Sequence, residues 1–140
     1  MAFTGNWTCN TFKTGLMDGT FNFTSGSFYL ALYTNSATLD ATTTAYTATG
    51  EASGGNYVAG GNLLTIAQVP TVGNGDTAFI SFNNTSWTGA ITARGALIYL
   101  SGGGNPAVCV LDFGADKTST ATFTVQFPAI TNTSAIIRIS

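Results

Sequence analysis

The sequence contains no histidine, and only ten of its 140 residues carry a charge: four Lys or Arg and six Asp or Glu. Proton transfer, metal binding and phosphate capture draw mostly on these residue types. A Ser-His-Asp triad lacks its base, and a Ser–Lys dyad would have to use Lys13 or Lys117 without any accompanying motif. We therefore expect no enzymatic activity, no catalytic residues, no cofactor and no metal site.

The six carboxylates leave one enzymatic alternative open. Two of them could meet in space as the acid–base pair of a glycoside hydrolase, although nothing in their spacing favours it. Asp112 and Asp116, with Gly114 between them, are the only close pair. A calcium site needs several more oxygen ligands, so we predict that this pair caps a turn.

Positive charge, cysteine and long apolar runs are scarce as well. Without an apolar run of about 20 residues we expect no membrane helix, and the first residues do not resemble a signal peptide. Pairing of Cys9 with Cys109 stays open, but two free thiols in a protein made in the cytoplasm are the simpler expectation. The scattered cations provide no nucleic-acid-binding patch: Lys13, Arg94, Lys117 and Arg138.

What the chain does contain favours a β-rich globular domain. Hydrophobic residues make up 44% and aromatics 12%, enough for a core in a single domain, residues 1–140. Thr, Gly and Asn fill many of the remaining positions and favour strands and turns. The net charge of −2 leaves a weakly charged surface that is suited to permanent contacts within an assembly.

One helix and about eight strands are predicted. Asn10 to Asp18 has the pattern of a short helix, with Asn10 as N-cap, Phe12, Leu16 and Met17 on one face, and Gly19 as its end. The strand count and spacing fit an all-β, antiparallel sandwich or jelly roll. The predicted strands are 3–8, 27–33, 62–69 (ending at Pro70), 77–82, 94–100, 106–113, 118–127 and 135–139.

Residues 35–61 form a long irregular stretch, and loops of this length are usually functional. Tyr46 and Tyr57 lie in it, and we expect them to be exposed. The N-terminal segment from Phe3 to Trp7 is a second candidate, because an edge strand can pair with a partner sheet without using charge. Aromatic side chains also serve as binding hot spots or sugar-stacking platforms, although core packing is their commoner role. The interface candidates are Phe3, Trp7, Tyr46, Tyr57 and Trp87.

The N-terminal half has a recognisable layout of short motifs. It resembles small virion proteins of tailed bacteriophages, and with its 140 residues it is most similar to the capsid cement, or decoration, proteins of short-tailed phages. The resemblance by motif covers residues 10–66. Its motifs are Asn10-Thr11-Phe12-Lys13, Gly19-Thr20-Phe21-Asn22-Phe23, Leu30-Ala31-Leu32-Tyr33-Thr34, Thr43-Thr44-Ala45-Tyr46, Gly50-Glu51 and Tyr57-Val58-Ala59-Gly60-Gly61-Asn62-Leu63-Leu64.

The resemblance implies a jelly-roll protein that dimerises and binds the exterior of the assembled capsid, with the major capsid protein as its partner. It implies no catalytic residues, no nucleic-acid binding and no membrane association. An alternative is a tail-associated or receptor-binding β-sandwich that recognises a glycan through its aromatic side chains.

Overall fold

Antiparallel strands make up most of the protein, seen in a computed structural model that describes residues 3–139. The predicted domain, residues 1–140, extends beyond this range at both ends. The elements described are β1 Trp7–Thr8, α1 Asn10–Asp18, β2 Phe28–Tyr33, β3 Asn62–Leu63, β4 Ile66–Val72, a 3-10 turn Asn74–Asp76, β5 Ala78–Phe82, β6 Thr85–Thr88, β7 Thr92–Leu100, β8 Ala107–Thr118, β9 Thr122–Val125 and β10 Ile137–Ile139.

The strands form three antiparallel sheets. The five-stranded sheet has the order β1-β8-β7-β2-β3, and the two smaller sheets have the orders β10-β5-β4 and β6-β9. The larger hydrophobic core contains one face of the five-stranded sheet and side chains from β5, β6 and β9. The all-β prediction with a short N-terminal helix is therefore confirmed, with ten described strands where the sequence predicted about eight.

Strand β2 is buried on both faces, as its sequence predicts. Phe28, Leu30 and Leu32 belong to the larger core, whereas Ala31 and Tyr33 contact a second core on the opposite face of the five-stranded sheet. Successive side chains of a strand point to opposite faces, so a continuous apolar run satisfies both layers. The five-stranded sheet is thus the central layer of the fold.

Residues 35–61 cover the outer face of this central sheet. Ala37 and Leu39 from this segment are buried in the second core, together with Phe3 from the N-terminal segment. The segment returns to the sheet edge at Gly61, whose φ of +81° favours glycine. A Cβ atom at Gly61 would overlap the carbonyl oxygen of Leu30, so the loop closes directly against β2.

Helix α1 spans the predicted residues but differs in its N-cap and in its buried face. The N-cap is Cys9, not Asn10: Cys9 is extended and its carbonyl accepts the N–H of Phe12, so Asn10 is already helical. Gly19 ends the helix as predicted, in a left-handed conformation with its N–H bonded to Gly15. The helix buries Phe12 and Gly15, and the predicted apolar partners on the face of Phe12 stay exposed: Leu16 at 37% and Met17 at 82%.

Several strands also differ from the prediction. The predicted strand 3–8 is observed only at Trp7–Thr8, and the predicted strand 62–69 is divided into β3 and β4, which belong to different sheets. Strand β4 continues through Pro70, because β4 lies at a sheet edge and a proline there interrupts no ladder on its outer side. Strand β6 falls in a stretch where the sequence predicted no strand. The predicted strand 118–127 is wrong at both ends: Thr118 belongs to β8, residues 119–121 connect β8 to β9, and β9 has only four residues.

Cys9 and Cys109 are both buried and free. Strand β1 pairs Thr8 with Cys109, so the side chain of Cys9, one residue further, points to the opposite face of the sheet. Cys9 accordingly packs in the second core and Cys109 in the larger one. The expectation of two free thiols is confirmed, and the sheet itself separates them.

Candidate functional site

The three-stranded sheet carries an apolar row that the other residues of the described range, 3–139, do not cover. Val72 pairs with Ala78, and Ala78 pairs with Ile139, so the three side chains lie on one face. In the neighbouring row Ile80, which pairs with Ile137, is only 5% exposed, whereas Val72 is 65% and Ile139 54% exposed. The core-facing side of the sheet therefore continues past the core into solvent.

An apolar groove of about 380 Å³ lies beside this row. Buried phenylalanine side chains form part of its wall, and the Phe12 and Phe21 rings pack edge to face with centroids 5.0 Å apart. Leu16 of α1 and Pro70 of β4 also line it. Among residues 3–139 the lining contains no charged side chain. Its members are Phe12, Leu16, Gly19, Phe21, Asn22, Phe23, Pro70, Ala78, Phe79, Ile80, Ile137 and Ile139.

We call the exposed part of this region the apolar face: Leu16, Pro70, Val72 and Ile139. Taking roughly 150–200 Å² for each fully exposed side chain, it presents on the order of 400 Å² of apolar surface. Patches of this size on a folded chain commonly mark an interaction site. The apolar face can bury a partner's apolar side chains, and its residues offer nothing for proton or metal chemistry.

A polar cluster around Glu51 lies at the edge of the central sheet, where Glu51 forms a bridge with Tyr33 of β2. Tyr46 and Tyr57 each donate a hydroxyl hydrogen bond to its carboxylate, at 2.7 and 2.6 Å, and the Gly60 N–H donates a third at 2.7 Å. The Tyr57 hydroxyl also accepts the N–H of Leu32 in β2 at 2.9 Å. These bonds fix both halves of the 35–61 loop to the central sheet.

Burial and the nearby Glu51 carboxylate raise the pKa values of the surrounding phenols. Burial, followed by hydrogen bonding to Glu51, raises the pKa of Tyr46 and Tyr57. Burial, followed by the charge of Glu51, raises the pKa of Tyr99 to about 12, and its hydroxyl donates to the Gly60 carbonyl at 2.7 Å. The same cause raises the pKa of Tyr33, which donates to the Thr47 carbonyl at 2.6 Å. At neutral pH these tyrosine hydroxyls are therefore hydrogen-bond donors, and their bonds fix the 35–61 loop.

The five interface candidates from the sequence do not form one site. Phe3 and Trp87 are inside, at 0% and 2% exposure, and the Trp87 ring lies 5.5 Å from that of Tyr57. Tyr46 and Tyr57 are half-buried, with their hydroxyls bonded to Glu51, so they are less exposed than expected. Trp7 is 39% exposed but lies in β1, already paired with β8.

The prediction that Asp112 and Asp116 cap a turn is wrong: both lie inside β8, at an irregularity where the ladder with β7 shifts register between Gly95–Asp112 and Ala93–Lys117. Asp112 Oδ1 accepts the N–H of Gly114 at 2.8 Å and pairs with Arg94 Nε at 3.0 Å. These bonds, opposed by burial, lower the pKa of Asp112. In the part of the chain that the structure describes, no three Cys, Asp or Glu side chains converge as metal ligands.

The apolar face was not predicted from the sequence. Val72, Ala78 and Ile139 come from three strands, and their alignment depends on two strand registers that a single sequence does not specify. The sequence predicted that Leu16 shares a helix face with Phe12 and Met17, and did not indicate that Leu16 lines a groove. Glu51 was noted only within a motif, although a lone acidic residue among tyrosines in a long loop is a pattern that could have indicated the cluster.

No family model, characterised protein sequence or solved structure matches this chain. The helix that the structure describes, nine residues long, is too short and too polar to cross a membrane.

Proposed function

We propose that this chain is a non-enzymatic capsid cement protein that binds the outside of an assembled phage shell and stabilises contacts between major capsid proteins. The resemblance of residues 10–66 to phage virion proteins supports the setting. The observation that carries the proposal is the apolar face, where core-type side chains in the row of Val72 and Ile139 remain uncovered.

The mechanism is mass action. A protein that binds only the assembled lattice stabilises that lattice in proportion to its occupancy. Burial of about 400 Å² of apolar side chain on each copy contributes on the order of 10 kcal/mol before the cost of association. Many copies, each with a modest interface, then resist the internal pressure of packaged DNA.

Binding is expected to depend little on salt, because no charged side chain within the described residues lines the groove beside this face. Raising NaCl from about 0.1 to 0.5 M should change the dissociation constant for shells less than about threefold. Release of the protein from shells by such salt alone contradicts the proposal.

The direct test compares two pairs of substitutions in shell binding. Val72→Thr with Ile139→Thr makes the apolar face polar and should reduce occupancy at least tenfold. Val58→Thr with Leu63→Thr is the matched control, because Val58 and Leu63 are 71% and 52% exposed and do not line the groove. Equal loss of binding in both double variants, or in neither, contradicts the assignment of this face.

Crosslinking of purified virions followed by mass spectrometry identifies the neighbour. Crosslinks to the major capsid protein support a cement role. Crosslinks confined to tail proteins overturn it in favour of the tail-associated alternative.

A further inference from the structure

The two outer edges of the β6-β9 sheet are treated differently by the chain. The outward backbone groups of β6 are satisfied within the protein: Thr88 exchanges hydrogen bonds with Asn56, donating to its Oδ1 and accepting from its backbone N–H, each at 2.9 Å. Asn62 Nδ2 donates to the Ser86 carbonyl at 3.0 Å. The 35–61 loop and β3 thus cover this edge.

The strand register shows which groups of β9 point the other way. Ser86 lies opposite Thr124 and Thr88 opposite Thr122. Opposite residues of an antiparallel ladder share the same hydrogen-bonding orientation, so the N–H and C=O of Thr122 and Thr124 point away from β6. Both threonines are exposed, and within residues 3–139 these outward backbone groups have no hydrogen-bond partner.

A groove of about 610 Å³ lies between this edge of β9 and the end of β8, which forms its other side. No ladder joins the two strands. Ser119 N–H donates to the Ile91 carbonyl at 2.9 Å, which makes Thr118, opposite Thr92, a position whose backbone points away from β7. Both β8 and β9 therefore present outward-pointing backbone groups at the groove.

The lining of the groove specifies the chemistry of an occupant. The Phe113 and Phe123 rings, with centroids 6.2 Å apart, supply apolar wall, and threonines and Gln126 supply a polar rim. Lys117 is the one charged side chain that lines the groove among the described residues. An extended segment of about four residues, ~13 Å long, with an apolar side chain and a carboxylate meets these features.

We propose that β9 accepts such an extended segment of the shell protein as an added strand, bonded to the outward backbone groups of Thr122 and Thr124. The source of the segment rests on the proposed function. The area of the apolar face supports a second contact of this kind, since about 400 Å² is only half of the ~800 Å² that each partner buries in a standard interface. Backbone pairing also needs no charge, which suits this chain.

The test removes one outward N–H without touching the β6-β9 ladder. Thr124→Pro does so at an edge position, and Thr124→Val is the control that keeps the N–H and loses the hydroxyl. Both variants should keep the thermal midpoint within a few degrees. On shells, Thr124→Pro should lower occupancy at least tenfold and Thr124→Val less than twofold.

If the wild-type protein binds shells and Thr124→Pro binds them equally well, the strand addition is wrong and the cement function still holds. If the wild-type protein does not bind shells, the cement function itself is wrong. Hydrogen exchange on the wild-type protein covers the case in which the proline variant does not fold. The Thr122 and Thr124 amides should exchange at least tenfold more slowly on shells than in solution, and unchanged exchange overturns the proposal.

Discussion

Two apolar surfaces of the molecule differ in whether a loop covers them. On the outer face of the central sheet the 35–61 loop buries Leu39 and is fixed by hydrogen bonds to Glu51. On the three-stranded sheet, no other part of residues 3–139 covers the row containing Val72 and Ile139 in this way. The 27 residues of the 35–61 loop bury apolar surface and so contribute to the stability of the fold. The exposed row of Val72 and Ile139 contributes little to folding and is available for contact with a partner.

The buried thiols and phenols of the two cores predict that the largest loss of stability occurs in strong base. The pKa of Cys9 is raised to about 11, and those of Cys109 and Tyr99 to about 12, chiefly by burial. Groups with a raised folded pKa stabilise the fold fully below their unfolded pKa, here 9 for thiols and 10 for phenols, and lose that contribution as pH rises through the folded value. The urea midpoint should be flat from pH 7 to 8.5 and collapse by pH 12.

Cys9→Ala with Cys109→Ala is the control for this pH profile. It should move the onset of the loss from about pH 9 to about pH 10, where the buried phenols begin to contribute. A midpoint that stays constant up to pH 12 contradicts the burial of these groups.

Gly61→Ala should produce the next largest effect. The substitution combines a φ of +81° with overlap of the Leu30 carbonyl oxygen, so the loop must move off β2. We expect a loss of about 3 kcal/mol or more in the free energy of unfolding, measured by urea denaturation. Gly102→Ala is the matched control: its φ is +98° but a Cβ there meets open space, so only about 1 kcal/mol of backbone strain applies.

Tyr57→Phe tests the polar cluster with a smaller expected effect. It removes one donor to Glu51 and leaves the Leu32 N–H without its acceptor, which should cost about 2 kcal/mol in the free energy of unfolding. Tyr29→Phe, a change in a half-buried tyrosine that stacks on Tyr99, is the control and should cost less than about 0.5 kcal/mol. Equal losses in the two variants would mean that the Glu51 cluster does not fix the loop.

Some elements of the two sides could be predicted from the sequence, and others could not. Alternation and turn residues predicted β2, β5 and the β7-β8 hairpin, because these depend on local pattern and neighbouring strands. The short strand β6 and the continuation of β4 through Pro70 depend on which strands lie at sheet edges. Edge positions follow from the tertiary arrangement, as do the Val72–Ala78–Ile139 row and the Glu51 cluster.

Val72→Thr, on the exposed row of the three-stranded sheet, should have the smallest effect on the free energy of unfolding. Because Val72 is 65% exposed, the loss in free energy of unfolding should stay within about 0.5 kcal/mol. The same type of change one row inward, Ile80→Thr, places a hydroxyl in the core beside Phe23 and should cost more than 2 kcal/mol. Measured by urea denaturation side by side, similar costs at both positions would mean that the row at Val72 is covered in solution. A small cost at Val72 together with reduced binding to shells assigns that row to a partner, because its side chains then contribute to association and not to folding.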